Sequence, residues 1–291
     1  MIPAPVEALP AAGARRGTAA FLWPRLTDVR WHLLSFQLAY IAYALVATSF
    51  SRTAPQYAAA FVSCMMLDFL LAWRVKGVLL FPLSGLITSM GTTLILDSPL
   101  VWPYAFVGVM AMLSKHFLRV RGRHVFNPNN AGLVLAVLYF PGVATASGGG
   151  WGGYAPLAAL MFLLGASVAF RAGRLVLALT YWSTFAAGVL MRSAVLKQTA
   201  MMVGGPMTGP AFQLFLFYML TDPMTTPANR KGQIVFGVLL GTIDTALRLA
   251  QQKYAPLYAL FIMTGLYASF AALYGLRLSE SPWKWRRLQT T

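Results

Sequence analysis

Long apolar runs, separated by short polar and basic stretches, dominate the pattern of this chain. A helix that crosses the hydrocarbon core of a bilayer needs about 20 residues. The pattern therefore predicts an all-α polytopic membrane protein with about ten transmembrane helices. The apolar runs lie at about 32–50, 56–73, 78–96, 100–118, 129–146, 154–170, 173–191, 206–221, 232–250 and 255–276.

Several of these runs are too short or too interrupted to form plain spanning helices. The apolar part of 131–141 follows FNPNN, the run at 211–220 precedes TDPMTTP, and the third run ends in LILDSP. Proline removes a backbone donor and disfavours helix in the residue before it. We therefore expect broken or half-length helices whose exposed backbone ends are covered by protein.

The interruptions are shared between two halves of the chain, roughly 31–146 and 154–276. On the predicted topology Asp97 faces the outer side of the membrane and Asp222 faces the inner side. Paired breaks of opposite orientation indicate an inverted repeat, in which helix ends build a central site.

The composition supports a membrane protein and excludes a soluble enzyme. Of the 291 residues, 58% are hydrophobic and only 10% are charged, whereas soluble domains carry about a quarter charged residues. The net charge of +16 does not indicate nucleic-acid binding, because the basic residues sit singly and in pairs between apolar runs, as topology determinants do.

The distribution of Lys and Arg predicts the orientation. If the N-terminus is inside, 18 basic residues lie on the inner side and 5 on the outer side, so we expect both termini in the cytoplasm. Residues 1–30 are then a basic cytoplasmic leader without the pattern of a signal peptide, 31–276 one transmembrane domain, and 277–291 a basic cytoplasmic tail. The outer set is Arg52, Arg192, Lys197, Arg248 and Lys253.

Four of the seven acidic residues lie within or beside apolar runs and are candidates for an ion or proton path, because an intramembrane carboxylate is costly unless it is paired or hydrated. Asp97 and Asp222 precede Ser-Pro and Pro, so capping of a turn or helix end is the alternative. Asp244 precedes Arg248 by four residues, which predicts an ion pair on one helix face. Asp68 has no such neighbour and needs a partner on another helix, or a proton.

Other polar groups give weaker signals. His116 and His124 flank a basic loop, where we expect them to be solvated, and no spacing of His, Cys and acidic residues indicates a metal site. The only cysteine, Cys64, lies in an apolar run and is typical of a small core residue. No arrangement of Ser, His and acid indicates a hydrolase.

Two segments carry a resemblance to a known family. HVFNPNNAGLVL at 124–135 and FYMLTDPMTTPANRKGQIVFGVLLGTIDTALR at 217–248 resemble the D subunit of the Rnf electron transport complex and the B subunit of the sodium-pumping NADH:quinone reductase. LSGLITSMGTTLILDSP at 83–99 looks like the first broken-helix region of that family. The resemblance covers about 83–276.

The resemblance implies a urea-channel-like fold of ten helices, a flavin within an electron path coupled to ion movement, partner redox subunits, and a bacterial inner membrane location. The residues it implies for cofactor binding are Phe126, Asn127, Pro128, Asn129, Asn130, Thr221, Asp222, Pro223, Thr225 and Thr226. The three asparagines can place carboxamides against helix ends, which satisfies backbone groups with or without a ligand.

In that family FMN is bound covalently to a threonine after the fifth helix. The similar stretch here is GGYAPL at 152–157, which places Ala155 at the acceptor position. Because alanine has no hydroxyl, we expect FMN or riboflavin to bind noncovalently if it binds. Two alternatives stay open: a flavin-free channel or transporter for a small polar solute or ion, and an accessory membrane protein of an enediyne-type biosynthetic or redox gene cluster.

Overall fold

The computed structural model describes residues 21–47, 52–77, 79–147, 155–274 and 285–287. The leader at 1–20, the glycine-rich stretch at 148–154 and most of the tail expected at 277–291 lie outside these described residues. Helices make up most of the described chain, and the strands are short.

The described residues of the first half form five helices and six short strands. They are β1 (Phe21–Pro24), α1 (Val29–Ala47), α2 (Ala54–Lys76), β2 (Leu79–Leu80), α3 (Leu83–Ile95), β3 (Leu96–Asp97), α4 (Trp102–Phe117), β4 (Arg119–Val120), β5 (Arg123–His124), α5 (Pro128–Tyr139) and β6 (Thr145–Ala146).

The second half contains longer helices around one broken stretch. Its elements are α6 (Ala155–Arg171), α7 (Leu175–Leu196), α8 (Ala200–Gly204), a 3₁₀ turn (Gly205–Thr208), α9 (Pro210–Leu214), a π-helical turn (Phe215–Met219), α10 (Arg230–Leu249), α11 (Ala255–Leu273) and β7 (Trp285–Arg287). β1 pairs in parallel with β2 and antiparallel with β7, while β3 pairs with β6 and β4 with β5, both antiparallel.

Short polar residues set the ends of the helices. Asn127 begins α5, where its Oδ1 accepts the backbone N–H of Asn130 at 3.1 Å, and Pro128 occupies the first helical position, where the missing N–H costs nothing. Asn229 caps α10 in the same way, accepting from Gly232 N at 2.6 Å. The expected role of Asn127 in covering a helix end is therefore confirmed.

The basic loop between α4 and α5 forms a tight hairpin. Arg119 pairs with His124 and Val120 with Arg123, and the two residues between them, Arg121 and Gly122, have φ values of 51° and 79°. Positive φ at both central positions defines the turn whose twist matches antiparallel strands. The hairpin therefore folds back onto the helix ends and brings Arg123 and His124 into the protein.

Two similar groups of helices make up the molecule. α2 packs against α3 and α4, and α4 packs against α5; in the second half α7 packs against α10, and α10 against α11. α1 contacts α6 and α5 contacts α11, which joins the groups. Gly132 lets α5 approach α4 closely, because a Cβ there would lie 2.4 Å from the carbonyl oxygen of Val107. Small residues serve close helix contacts of this kind in membranes.

Among the described residues, four helices are long and apolar enough to cross a membrane: Ala54–Val75, Leu175–Leu196, Arg230–Leu249 and Ala255–Leu273. α3 and α5 have only 13 and 12 residues, fewer than the roughly 20 that a straight span needs. Large apolar side chains point away from the core, with Leu163 and Leu190 both 67% exposed. Exposed apolar surface on this scale suits contact with a lipid bilayer, and we treat the chain as a membrane protein.

Candidate functional site

The two segments that carry the family pattern meet in space although about a hundred residues separate them. Nε2 of His124 lies 3.1 Å from Oδ2 of Asp222, and Nδ2 of Asn127 donates to the same oxygen at 3.3 Å. The start of α5 and the loop after the π-helical turn therefore form one polar junction.

Asp222 organises the loop 220–229 on which it lies. Its Oδ1 accepts the backbone N–H of Met224 at 2.9 Å, and its carbonyl oxygen accepts from the hydroxyls of Thr225 and Thr226 at 3.3 and 2.7 Å. A side-chain oxygen that accepts the backbone N–H two residues later closes a turn, and aspartate forms such turns readily. The TDPMTTP sequence thus folds into a compact loop instead of continuing the helix.

Two arginines fix this loop from outside. The Nε of Arg174 donates to Oγ1 of Thr226 at 3.0 Å, and its Nη2 donates to the carbonyl oxygen of Pro223 at 3.2 Å. Arg123 donates to the same Pro223 carbonyl. Hydrogen bonds from charged donors are stronger than neutral ones, so the loop has a well-defined position beside α5.

The charge of Asp222 is retained in this setting. Burial acts to raise the pKa of the Asp222 carboxyl, but His124, the N–H of Met224 and the guanidinium of Arg123 outweigh that effect and hold the pKa below its usual value. Opposite charges and hydrogen bonds to the ionised form lower a carboxyl pKa in this way. Asp222 is therefore an ionised carboxylate at neutral pH.

A pocket opens beside this junction. It encloses about 880 Å³ of space between protein atoms, part of it open to the surroundings, and runs along α1 from Arg30 to Gln37, a distance of roughly 10 Å at 1.5 Å per helical residue. Much of its wall is apolar, from α1, α3, α6 and the broken stretch. The apolar lining includes Leu33, Ile87, Ile95, Val168, Leu214 and Met219, and the polar lining includes Gln37, Thr88, His124, Asn127, Asn129 and Asp222.

Six of the ten residues implied for cofactor binding line this pocket. The other four lie behind it. Phe126 stacks on Phe261 with ring centroids 4.1 Å apart, and Asn130 donates from Nδ2 to the carbonyl oxygen of Leu257 at 3.2 Å. Thr225 lines a smaller cavity on the other side of His124, and Thr226 holds Arg174. The six lining residues are Asn127, Pro128, Asn129, Thr221, Asp222 and Pro223.

The other three candidates for an ion or proton path do not line the pocket. The expected ion pair between Asp244 and Arg248 is confirmed, with a distance of 3.0 Å. Asp244 also accepts a hydrogen bond from the hydroxyl of Tyr181 at 2.9 Å. Asp97 pairs with Arg52 at 2.8 Å near the surface.

Asp68 contacts groups on neighbouring helices. A partner on another helix was the first of the two alternatives that the sequence left open, and a protonated carboxyl was the second. Its Oδ1 lies 2.5 Å from Nζ of Lys115 and 2.9 Å from Nε2 of His116, both on α4. Its Oδ2 accepts the backbone N–H of Gly85 on α3 at 2.9 Å. The carboxylate thus joins α2, α3 and α4.

The expectation that His116 and His124 are solvated is wrong. Their exposed fractions are 3% and 7%, and each contacts an aspartate. His116 lies near the end of α4, and the hairpin carries His124 inward. A basic loop in a sequence suggests solvent exposure, but His116 belongs to α4, where it contacts Asp68, and the hairpin places His124 against Asp222.

Sequence reasoning also missed Gln37, which is 3% exposed and lines the pocket. Its Oε1 and the hydroxyl of Tyr218, another lining residue, are buried without a hydrogen-bond partner among the described residues. The available signal was a glutamine inside the apolar run HLLSFQLAY, since a buried amide needs partners.

Comparison with known proteins adds no assignment. No model of a known protein family matches the chain, and no curated protein matches it in sequence. Among the described residues no group of three or more His, Cys, Asp or Glu side chains is placed to hold a metal ion. The functional interpretation therefore depends on the pocket and on the segments that line it.

Proposed function

We propose that this chain is an integral membrane subunit that binds a flavin noncovalently in the pocket and takes part in electron transport together with partner redox subunits. In this proposal it is a divergent relative of the D subunit of the Rnf complex and the B subunit of the sodium-pumping NADH:quinone reductase. Coupling to ion movement, as the resemblance implies, belongs to the same proposal.

One observation carries the proposal. The FNPNN and TDPMTTP segments, which bear the family pattern, lie together at the wall of one pocket, where His124 and Asn127 both contact Asp222. Segments that only capped separate helices would have no reason to converge on a shared cavity. Ligand sites in membrane proteins are often built at interrupted helices in this manner.

The chemistry of the pocket suits a flavin. Pockets for small ligands combine apolar walls with a few polar groups, and this pocket has both. A flavin ring has two apolar faces and one polar edge. The buried, unpartnered Oε1 of Gln37 and hydroxyl of Tyr218 are groups that such an edge can satisfy. When bound, a flavin supplies one- and two-electron transfer.

The attachment in this proposal is noncovalent. Ala155 has no hydroxyl, and the nearby Thr145 and Ser147 are not lining residues of the pocket. The hydroxyl of Thr145 donates to the carbonyl oxygen of Asp97 at 3.2 Å, and that of Ser147 donates to Oδ2 of Asp97 at 3.2 Å. Among the described residues, no hydroxyl with the family's pattern therefore lines the pocket.

We further propose ten membrane crossings in an inverted repeat with both termini in the cytoplasm. The matched packing of α2, α4 and α5 and of α7, α10 and α11 supports two related halves. The excess of Lys and Arg on one side supports the orientation. Under this topology the pocket opens toward the cytoplasmic side, where Arg30 and His124 lie.

The test is the visible spectrum of the purified protein, recorded for the wild type and for two matched variants. We expect flavin bands in the wild type and in Asp97→Asn, whose aspartate lies away from the pocket. In Asp222→Asn we expect flavin affinity to fall about tenfold, the effect of one lost charged hydrogen bond. A folded wild-type preparation without flavin bands, and without uptake of added riboflavin, would refute the proposal.

A transporter of a small polar solute or ion is the second candidate. It is favoured by the ionised Asp222 on the wall of a partly open pocket, which suits a cation or a polar solute without any redox chemistry. Flux of such solutes into liposomes, measured for the wild type and Asp222→Asn, tests it. Flux that is absent, or equal in both proteins, would remove this candidate.

A further inference from the structure

Gln37 presents an acceptor to the pocket. Its Nε2 donates to the carbonyl oxygen of Ile87 at 3.3 Å, which fixes the amide orientation because the opposite orientation would place two oxygens against each other. The remaining Oε1 is buried without a hydrogen-bond partner among the described residues. A buried acceptor without a partner destabilises the pocket, so a ligand that supplies an N–H or O–H at this point gains affinity.

Asn129 presents a donor next to it. Its Oδ1 accepts from the hydroxyl of Thr92 at 2.9 Å, and its Nδ2 donates to no described residue. Gly91 separates the two amides: a Cβ at this position would lie 2.6 Å from Nδ2 of Asn129 and 3.6 Å from Nε2 of Gln37. Glycine at position 91 therefore leaves room for the Asn129 amide to stand beside Gln37.

We propose that Gln37 and Asn129 are specificity-determining residues that recognise the imide edge of the ligand ring. Gln37 Oε1 accepts the ring N–H, and Asn129 Nδ2 donates to the ring carbonyl beside it. This inference rests on the proposed flavin binding, because the isoalloxazine ring has such an edge, with N3–H between two carbonyls.

The same arrangement discriminates between redox-active rings. An oxidised quinone presents only acceptors, so it leaves the Oε1 of Gln37 unpaired and pays the desolvation cost of that oxygen. A flavin supplies both the donor and the acceptor that the two amides require. The pocket therefore selects a flavin over a quinone of similar size.

The experiment compares lumiflavin with N3-methyl-lumiflavin, in which a methyl group replaces the N3 hydrogen that would be donated to Gln37. Titration of the purified protein, followed by flavin fluorescence, gives the two dissociation constants. In the wild type we expect the methylated ring to bind about 10- to 100-fold more weakly, the effect of leaving one buried acceptor unpaired. A soluble ubiquinone analogue is expected to compete weakly with lumiflavin.

Variants assign this discrimination to Gln37. In Gln37→Met, which keeps the side-chain length and removes the amide, we expect the two rings to bind with similar affinity. Gln56→Met is the matched control: Gln56 is also buried, but it lies outside the pocket and contacts Thr53 and Ser98. In that variant the discrimination should persist.

The outcomes separate the two proposals. Equal binding of both rings to the wild type overturns the imide inference and leaves flavin binding in place, as does discrimination that survives in Gln37→Met. Absence of binding for both rings overturns the proposed function, and the inference with it. The wild-type comparison needs no substitution, so it remains decisive even if Gln37→Met does not fold.

Discussion

Two aspartates with little exposed surface each contact a histidine, and their surroundings differ. Asp68 lies 2.9 Å from His116 on α4, and Asp222 lies 3.1 Å from His124 on the hairpin after α4. Asp68 also pairs with Lys115 and accepts from Gly85, and it is not a lining residue of the pocket. Among the described residues, the other hydrogen-bond donors to the Asp222 carboxylate are the amide of Asn127 and the backbone N–H of Met224, and Asp222 lines the pocket.

This comparison separates stability from ligand binding. The contacts of Asp68 join three helices, and Asp68 is not part of the pocket wall. The contacts of Asp222 hold His124, Asn127 and the loop 220–229 at the pocket wall. A carboxylate within or beside an apolar run is a candidate for a functional site. Its contacts then decide whether it stabilises the fold or belongs to a ligand site.

The largest expected effect is that of Asp68→Asn on stability. The substitution leaves Lys115 buried without its counter-charge, and breaking a buried pair costs about 3–5 kcal/mol. Cys64 is buried on the same helix, so its reaction with a thiol-specific dye in detergent reports the opening of α2. We expect labelling at a much lower temperature than in the wild type.

The matched control is Asp222→Asn, whose carboxylate has no lysine or arginine within 4 Å among the described residues. We expect a far smaller shift in the labelling temperature for this variant. Similar shifts for the two variants would show that the Asp68 cluster does not carry the stability we assign to it.

The sequence predicts local contacts better than distant ones. The Asp244–Arg248 pair follows from a four-residue spacing on one helix. Asp68 and Lys115 are 47 residues apart, and Asp222 and His124 are 98 residues apart, so no spacing rule relates them. Polarity within an apolar run did indicate that each aspartate needs a partner.

The candidate site was predicted in part for the same reason. Proline and asparagine signals at FNPNN and TDPMTTP mark where helices stop, because they act through local backbone geometry. Another part of the wall comes from α1 and α3, and Gln37 on α1 has no motif around it. Its role depends on which helix packs opposite it, and that follows only from the tertiary fold.

A medium effect distinguishes the two histidines. His116→Phe removes one of the hydrogen bonds to the Asp68 carboxylate, and loss of a bond to a charged group costs about 1.5–3 kcal/mol. We expect lower stability by Cys64 labelling and unchanged flavin affinity. His116→Gln, which can still donate to Asp68, should recover most of the loss.

His124→Phe should give the opposite pattern. Because His124 lines the pocket and holds Asp222, we expect flavin affinity to fall about tenfold, equivalent to about 1.4 kcal/mol, with little change in Cys64 labelling. Reduced stability with unchanged affinity in this variant would contradict the assignment of the Asp222 pair to the ligand site.

The smallest effect is expected at Asp97, which is paired with Arg52 at 2.8 Å, like Asp68 with Lys115, but has a side chain that is 48% exposed, while that of Arg52 is 7% exposed. Because water reaches the Asp97 carboxylate and Arg52 also donates to the carbonyl oxygen of Thr93 at 3.4 Å, Asp97→Asn should shift the Cys64 labelling temperature less than Asp68→Asn does and leave flavin binding unchanged. Added salt should reduce even this small difference, because solvent ions screen exposed charges and reach the buried Asp68 cluster much less. A large shift for Asp97→Asn would show that this partly exposed pair stabilises the fold as much as the buried cluster does, and the contrast between buried and exposed carboxylates would then fail.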